Sequence, residues 1–151
     1  MKRITAIIAM MLAACIVSEA KIVLSRLVSD GMVMQQNTQA KVWGTATPGA
    51  QITVTPSWSG NSYRCKADSD GRWTVNVSTP EGSYKAYSMT VKGDGSSIRI
   101  NDILIGEVWL ASGQSNMEMP MRGFYNCPVE NALEYISAPA ATEKIRMFTV
   151  P

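Results

Sequence analysis

Ile98-Arg99-Ile100-Asn101-Asp102-Ile103-Leu104-Ile105-Gly106-Glu107-Val108-Trp109-Leu110-Ala111 holds the change of texture on which the fold reading turns. Ile98 and Ile100 still alternate with polar neighbours, as on a half-buried strand. Ile103-Leu104-Ile105 and Val108-Trp109-Leu110-Ala111 are nearly continuous apolar runs, the pattern of strands covered on both faces in a parallel sheet.

Upstream of this stretch, period-two alternation dominates. Ile52 and Val54 alternate with Gln51, Thr53 and Thr55; Trp73, Val75 and Val77 with Thr74 and Asn76; Tyr87, Met89 and Val91 with Ser88 and Thr90. Each apolar set therefore falls on one strand face. Between the strands lie Thr47-Pro48-Gly49, Asp68-Ser69-Asp70-Gly71, Pro80-Glu81-Gly82 and Lys92-Gly93-Asp94-Gly95, residues that preset φ or tolerate a positive φ. The spacing predicts a small β-sandwich of immunoglobulin-like size over residues 21–105.

Downstream, Ser112 to Asn126 is polar and methionine-bearing. Pro128 suits the first turn of a helix through Val129, Leu133 and Ile136, and Ile145 to Val150 forms another β-prone run. Strand, helix and strand over residues 106–151 predict the first βαβ unit of an α/β domain. The fold class is thus mainly β, a sandwich followed by the opening of an α/β layer.

The first twenty residues stand apart. Lys2 and Arg3 precede the apolar run Ile4 to Val17 and the small-residue exit Ser18-Glu19-Ala20, the layout of a secretory signal peptide over residues 1–20. The run is short for a bilayer span, so no transmembrane segment is expected. Leu12-Ala13-Ala14-Cys15 is also similar to a lipoprotein cleavage box, which would leave a lipid anchor at Cys15; cleavage after Ala20 is favoured, because Cys15 implies an unusually short signal. Either way the protein is expected to be exported, to the periplasm or beyond.

Removing Lys2, Arg3 and Glu19 takes the 14 basic and 12 acidic residues to 12 and 11, a balance that excludes an electrostatic nucleic-acid binder. Cys65 and Cys127 would remain, too few for a disulfide framework; two separate packed thiols are expected. Asp68, Asp70 and Gly71 lack the other ligands of a calcium loop and read as a hairpin turn, so no metal is assigned.

Ser112-Gly113-Gln114-Ser115-Asn116-Met117 directly follows the run ending at Ala111. In open α/β sheets ligands bind beyond the carboxyl ends of strands, so Ser115 projects where a substrate would lie. Gly113 permits a tight turn, and backbone N–H groups there, or the amide of Asn116, could face a developing oxyanion. On these residues alone a plain surface loop is the commoner explanation. Met117 also replaces the second glycine of a G-x-S-x-G elbow.

The longer run from Gly106 to Pro120, GEVWLASGQSNMEMP, resembles the signature of the sialate O-acetylesterase family, carbohydrate esterases of the SGNH-hydrolase superfamily. Leu27 to Gln36 (LVSDGMVMQQ), Val42-Trp43-Gly44 and Asp70-Gly71-Arg72-Trp73 resemble the small β-domain preceding the hydrolase domain in bacterial members, and Ile145 to Val150 resembles the next strand. The resemblance implies that Ser115 is the nucleophile, with Gly113, Gln114 and Asn116 at the oxyanion or substrate site. It further implies an O-acetylated sugar as substrate and no metal or organic cofactor. The family's Asp-x-x-His segment is missing, and the chain contains no histidine. Serine is a poor nucleophile without an adjacent base. Lys144 is the residue that could replace it, yet a lysine before a strand more often marks a solvated end. The expectation is an N-terminal part of a secreted esterase, inactive alone. A different class, an exported carbohydrate-binding or structural β-module, rests on Trp58 as an exposed loop aromatic, with Trp43 and Trp73 placed in the core.

Overall fold

The structure, a computed structural model, describes residues 21–138 and 144–149. The expected signal segment 1–20, with Cys15, lies outside the described residues. Eight strands build the compact part: β1 (Val23–Leu24), β2 (Val33–Gln35), β3 (Gln39–Thr45), β4 (Gln51–Pro56), β5 (Tyr63–Lys66), β6 (Arg72–Ser78), β7 (Ser83–Gly93) and β8 (Ser96–Gly106). The chain is mainly β. One sheet has the order β1-β3-β6 and the other β2-β8-β7-β4-β5.

The two sheets bury their apolar faces in one core. Val42, Trp73, Val75 and Val77 come from the smaller sheet, and Ile52, Val54, Met89, Val91, Ile100 and Ile103 from the larger. The alternation read at β4, β6 and β7 is the alternation observed. Burial of aliphatic faces is the dominant stabilising term, on the order of 25 cal/mol per Å2 removed from water.

Turn chemistry sets the registers. Strands β7 and β8 pair antiparallel, with Gly93 opposite Ser96. The two residues between, Asp94 and Gly95, both have positive φ (50° and 68°), the requirement of a type I′ hairpin. The Asp94 carboxylate then accepts hydrogen bonds from the backbone N–H and hydroxyl of Thr47, fastening the neighbouring turn. Asp68 likewise accepts from the backbone N–H groups of Asp70 and Arg72. It organises a crossing between sheets and not a hairpin, because β5 pairs with β4 while β6 pairs with β3.

A bulge re-aims β8. Its register with β7 passes from Met89↔Ile100 to Tyr87↔Ile103, three residues opposing two. Asp102 takes the left-handed conformation there (φ 54°). Asn101 and Asp102 both face solvent, after which Ile103, Leu104 and Ile105 are all buried. Along this run β8 is paired on both edges, antiparallel to β7 and parallel to β2, with Met34 opposite Ile105.

Beyond Gly106 the expectations and the structure part. Val108 to Ala111 forms no strand, and Trp109 and Leu110 are 86% and 88% exposed. A strand covered on both faces needs neighbours to hydrogen-bond and helices to cover it, and none of the described residues supplies them. Pro128 opens no helix: Cys127–Pro128 (β10) pairs with Gly123–Phe124 (β9). The helix begins at Ala132 and runs only to Ser137 (α2), preceded by a single turn Ser115–Glu118 (α1). Residues 145–149 belong to no strand or helix, and Arg146 instead donates to the Asp102 carbonyl and pairs with its carboxylate at 2.9 Å. Among the described residues, no helix is long and apolar enough to cross a membrane. Cys65 and Cys127 are both free; Cys65 is half-buried in β5, as expected, whereas Cys127 is exposed and unpacked.

Truncating Ile103 to alanine is expected to cost about 2–5 kcal/mol in denaturant unfolding, against less than about 0.5 kcal/mol for the exposed Lys92→Ala. Equal midpoints for the two variants would contradict a core shared by both sheets.

Candidate functional site

The serine-bearing loop hangs from the end of β8, and hydrogen bonds from β2 hold its root. Gln36 donates its backbone N–H to the Gly106 carbonyl at 2.9 Å, the last rung before the ladder stops. At the next residue, side chains take over. The Glu107 carboxylate accepts from Gln36 Nε2 at 2.6 Å through one oxygen and from Gln35 Nε2 at 3.0 Å through the other. Gln35 Oε1 accepts the Val108 N–H at 2.8 Å, and Gln36 Oε1 accepts the Gly82 N–H at 2.6 Å. Each glutamine amide is thus used on both ends. The Thr79 hydroxyl, buried, donates to the Gln35 carbonyl at 2.7 Å and ties that corner down from below.

Hydrogen bonds from Gln35, then Gln36, stabilise the ionised carboxylate and hold Glu107 below its ordinary pKa. This clamp joins two family-like segments that lie about seventy residues apart in sequence. Nothing in the local sequence pattern assigns Glu107, Gln35 or Gln36 this role. The available signal was two adjacent amides at a strand end within LVSDGMVMQQ.

From Val108 the chain is exposed up to Ser115, the first residue of the single-turn α1. Gln114 occupies the N-cap position without a side-chain cap, and its carbonyl accepts the Met117 N–H at 2.9 Å. The backbone N–H groups of Ser115 and Asn116 make no hydrogen bond to another described residue, as the start of a helix dictates. A Cβ added at Gly113 would lie 2.8 Å from Met117 Cγ, so glycine is what lets the methionine fold back over the turn. Gly113, Gln114, Ser115 and Asn116 thus share one exposed turn, with two donors free beside the serine hydroxyl.

No described side chain hydrogen-bonds Ser115 Oγ. Lys144 is exposed and has no bond to it. Met117 and Met121 are exposed, so these methionines neither fill a core nor enclose a pocket. Among the described residues no group of three or more His, Cys, Asp or Glu side chains could hold a metal.

The tryptophans are redistributed relative to expectation. Trp58 is half-buried and donates Nε1–H to the Ser78 carbonyl at 2.8 Å, with its ring edge-on to Tyr87 at 5.7 Å. It packs against the core edge and is no exposed platform. Trp73 is core, as expected. Trp43, on the same side of β3 as exposed Lys41 and Thr45, is half-buried and packs against the core cluster.

Comparison with known proteins agrees with the motif. No protein-family model matches the chain. Mouse sialate O-acetylesterase is 32% identical over 131 residues, covering 82% of this chain and 23% of the mouse protein. The human protein of that name is 33% identical over 132 residues, covering 82% and 24%. Among solved structures, a carbohydrate acetylesterase from Xanthomonas citri matches with a TM-score of 0.60 and 38% identity, over 67% of this chain and 23% of that one. The likeness is to carbohydrate esterases. The chain belongs to the sialate O-acetylesterase family, and it spans about a quarter of the length of the relatives it matches.

The clamp has a pH signature. A folded-state pKa below the unfolded value means that its contribution is present above the unfolded pKa and is lost as pH falls through the folded one. In NMR titration the side-chain amide signals of Gln35 and Gln36 should move with a midpoint below the free glutamate value of about 4.3. A midpoint at or above that value would sink the clamp.

Proposed function

We propose that this chain is the leading part of an exported carbohydrate O-acetylesterase in which Ser115 is the nucleophile. On this reading residues 1–20 direct export, residues 21–105 form an immunoglobulin-like sandwich, and residues 106–151 begin an α/β esterase domain of the SGNH-hydrolase type. The observation that carries the reading is the family-like turn, with Ser115 exposed at its head and two unbonded N–H groups beside it.

The chemistry follows from acyl transfer. Ser115 Oγ attacks the acetyl carbonyl of a sugar ester and loses its proton to a base. The sugar oxygen leaves as an alcohol after taking up a proton, and water then releases acetate from the acetyl-serine. The backbone N–H groups of Ser115 and Asn116, with the side chains of Gln114 and Asn116, are the donors available to the tetrahedral oxyanion. The base must come from elsewhere, because these 151 residues contain no histidine. The exposed Val108, Trp109, Leu110 and Leu133 support the same reading, since large apolar side chains of an α/β layer are ordinarily covered by further strands and helices. The family names point to sugar acetyl esters; the glycan that bears them is set by contacts outside this segment.

By itself the chain should hydrolyse an acetylated sugar no faster than buffer. A chimera joining it to the downstream portion of the Xanthomonas citri enzyme should release acetate, and Ser115→Ala should lower that rate by at least about a thousandfold. Ser115-dependent turnover by the chain alone would refute its inactivity, and an active Ser115→Ala chimera would refute the nucleophile.

A further inference from the structure

Far in sequence from the serine turn, the outer face of the three-stranded sheet carries a groove of about 400 Å3. Register shows which side chains it presents. In β3 and β6, Val42 and Val75 face the core as partners, so the adjacent pairs Trp43↔Thr74, Thr45↔Arg72 and Lys41↔Asn76 face outward. Trp43, Thr45, Arg72 and Thr74 line the groove, with Ser25 at its β1 edge.

Three properties of this face converge. Trp43 is half-buried, so the sheet fixes its ring while part of it stays open to solvent. Its indole N–H, the hydroxyls of Thr45 and Thr74 and the guanidinium of Arg72 make no hydrogen bond or ion pair with any other described residue. The outward positions of β3 and β6 include Arg72 and Lys41 and no acidic residue. A fixed aromatic plane suits the apolar face of a pyranose ring, free hydroxyl and indole donors suit its hydroxyls, and an unpaired guanidinium suits a carboxylate.

We infer that the Trp43–Arg72 groove is a second carbohydrate site, taking an acidic sugar whose ring stacks on Trp43 and whose carboxylate meets Arg72. The site is independent of Ser115 and holds whether or not the chain belongs to a working esterase. It would keep a charged glycan on the β-domain while chemistry proceeds elsewhere.

The test is NMR titration of the 15N-labelled 151-residue chain with a uronic-acid trisaccharide and, separately, its neutral counterpart. The Trp43 indole signal, identified by its loss in Trp43→Phe, should shift with the acidic sugar. Arg72→Gln, an exposed position that leaves the core untouched, should weaken binding about tenfold. Raising salt from about 0.05 to about 0.5 M should weaken it further, whereas Ser115→Ala should leave it unchanged. Equal binding of the neutral sugar, shifts confined to the serine turn, or no shift at Trp43 would each overturn the inference.

Discussion

Everything that positions the candidate site hangs on β8. It is hydrogen-bonded to β7 along one edge and to β2 along the other, and its isoleucines enter the core between the two sheets. A strand held on both edges cannot shift register without breaking two ladders and exposing Ile100 and Ile103. That rigidity reaches the candidate site through two devices. The bulge at Asn101 and Asp102 shifts the alternation so that the last turn of the strand is buried, and it leaves the Asp102 carbonyl to receive Arg146. The Gln35 and Gln36 amides then continue the parallel pairing by side-chain means for one more residue, through Glu107 and Val108.

The two devices differ in strength for reasons of solvation. The Arg146–Asp102 pair is partly exposed, and such pairs are worth about 0–1 kcal/mol. The glutamine clamp is also at the surface, yet every polar atom in it bonds another, and its corner is fixed by the buried Thr79 hydroxyl. Specific geometry more than raw energy is what it contributes. It sets the direction in which the chain leaves the sheet.

Sequence patterns revealed what depends on local periodicity. The strands around Ile52, Trp73 and Met89 follow from alternation, and the β7–β8 hairpin follows from Asp94-Gly95, because two consecutive positive φ values nearly require that pair. The serine turn was visible through its family-like run. Non-local facts were hidden. Nothing in LVSDGMVMQQ shows that β2 lies parallel to β8 or that its glutamines reach Glu107, since the spacing is set by the intervening sheets. Trp58 was misplaced for a related reason: it was judged an exposed loop aromatic, although its N–H is used by Ser78 and its ring packs against the core. The apolar run beyond Gly106 was read as a buried strand, whereas Trp109 and Leu110 are exposed, because composition cannot supply the partner that would bury them.

That last mismatch bears directly on chemistry. A donor pair such as the Ser115 and Asn116 N–H groups stabilises an oxyanion strongly only where water is excluded, because electrostatic attraction weakens about fourfold as the effective dielectric rises from about 20 to about 80. In the exposed turn, water competes for both donors and for Ser115 Oγ. The exposed side chains of Trp109 and Leu110 flank the same turn in sequence. A layer that covered them would therefore do two things at once, burying apolar surface and drying the donors. On the esterase reading, stability of the α/β layer and preorganisation of the oxyanion site are one event, and a histidine carried by that layer would arrive at Ser115 in the step that makes its donors effective.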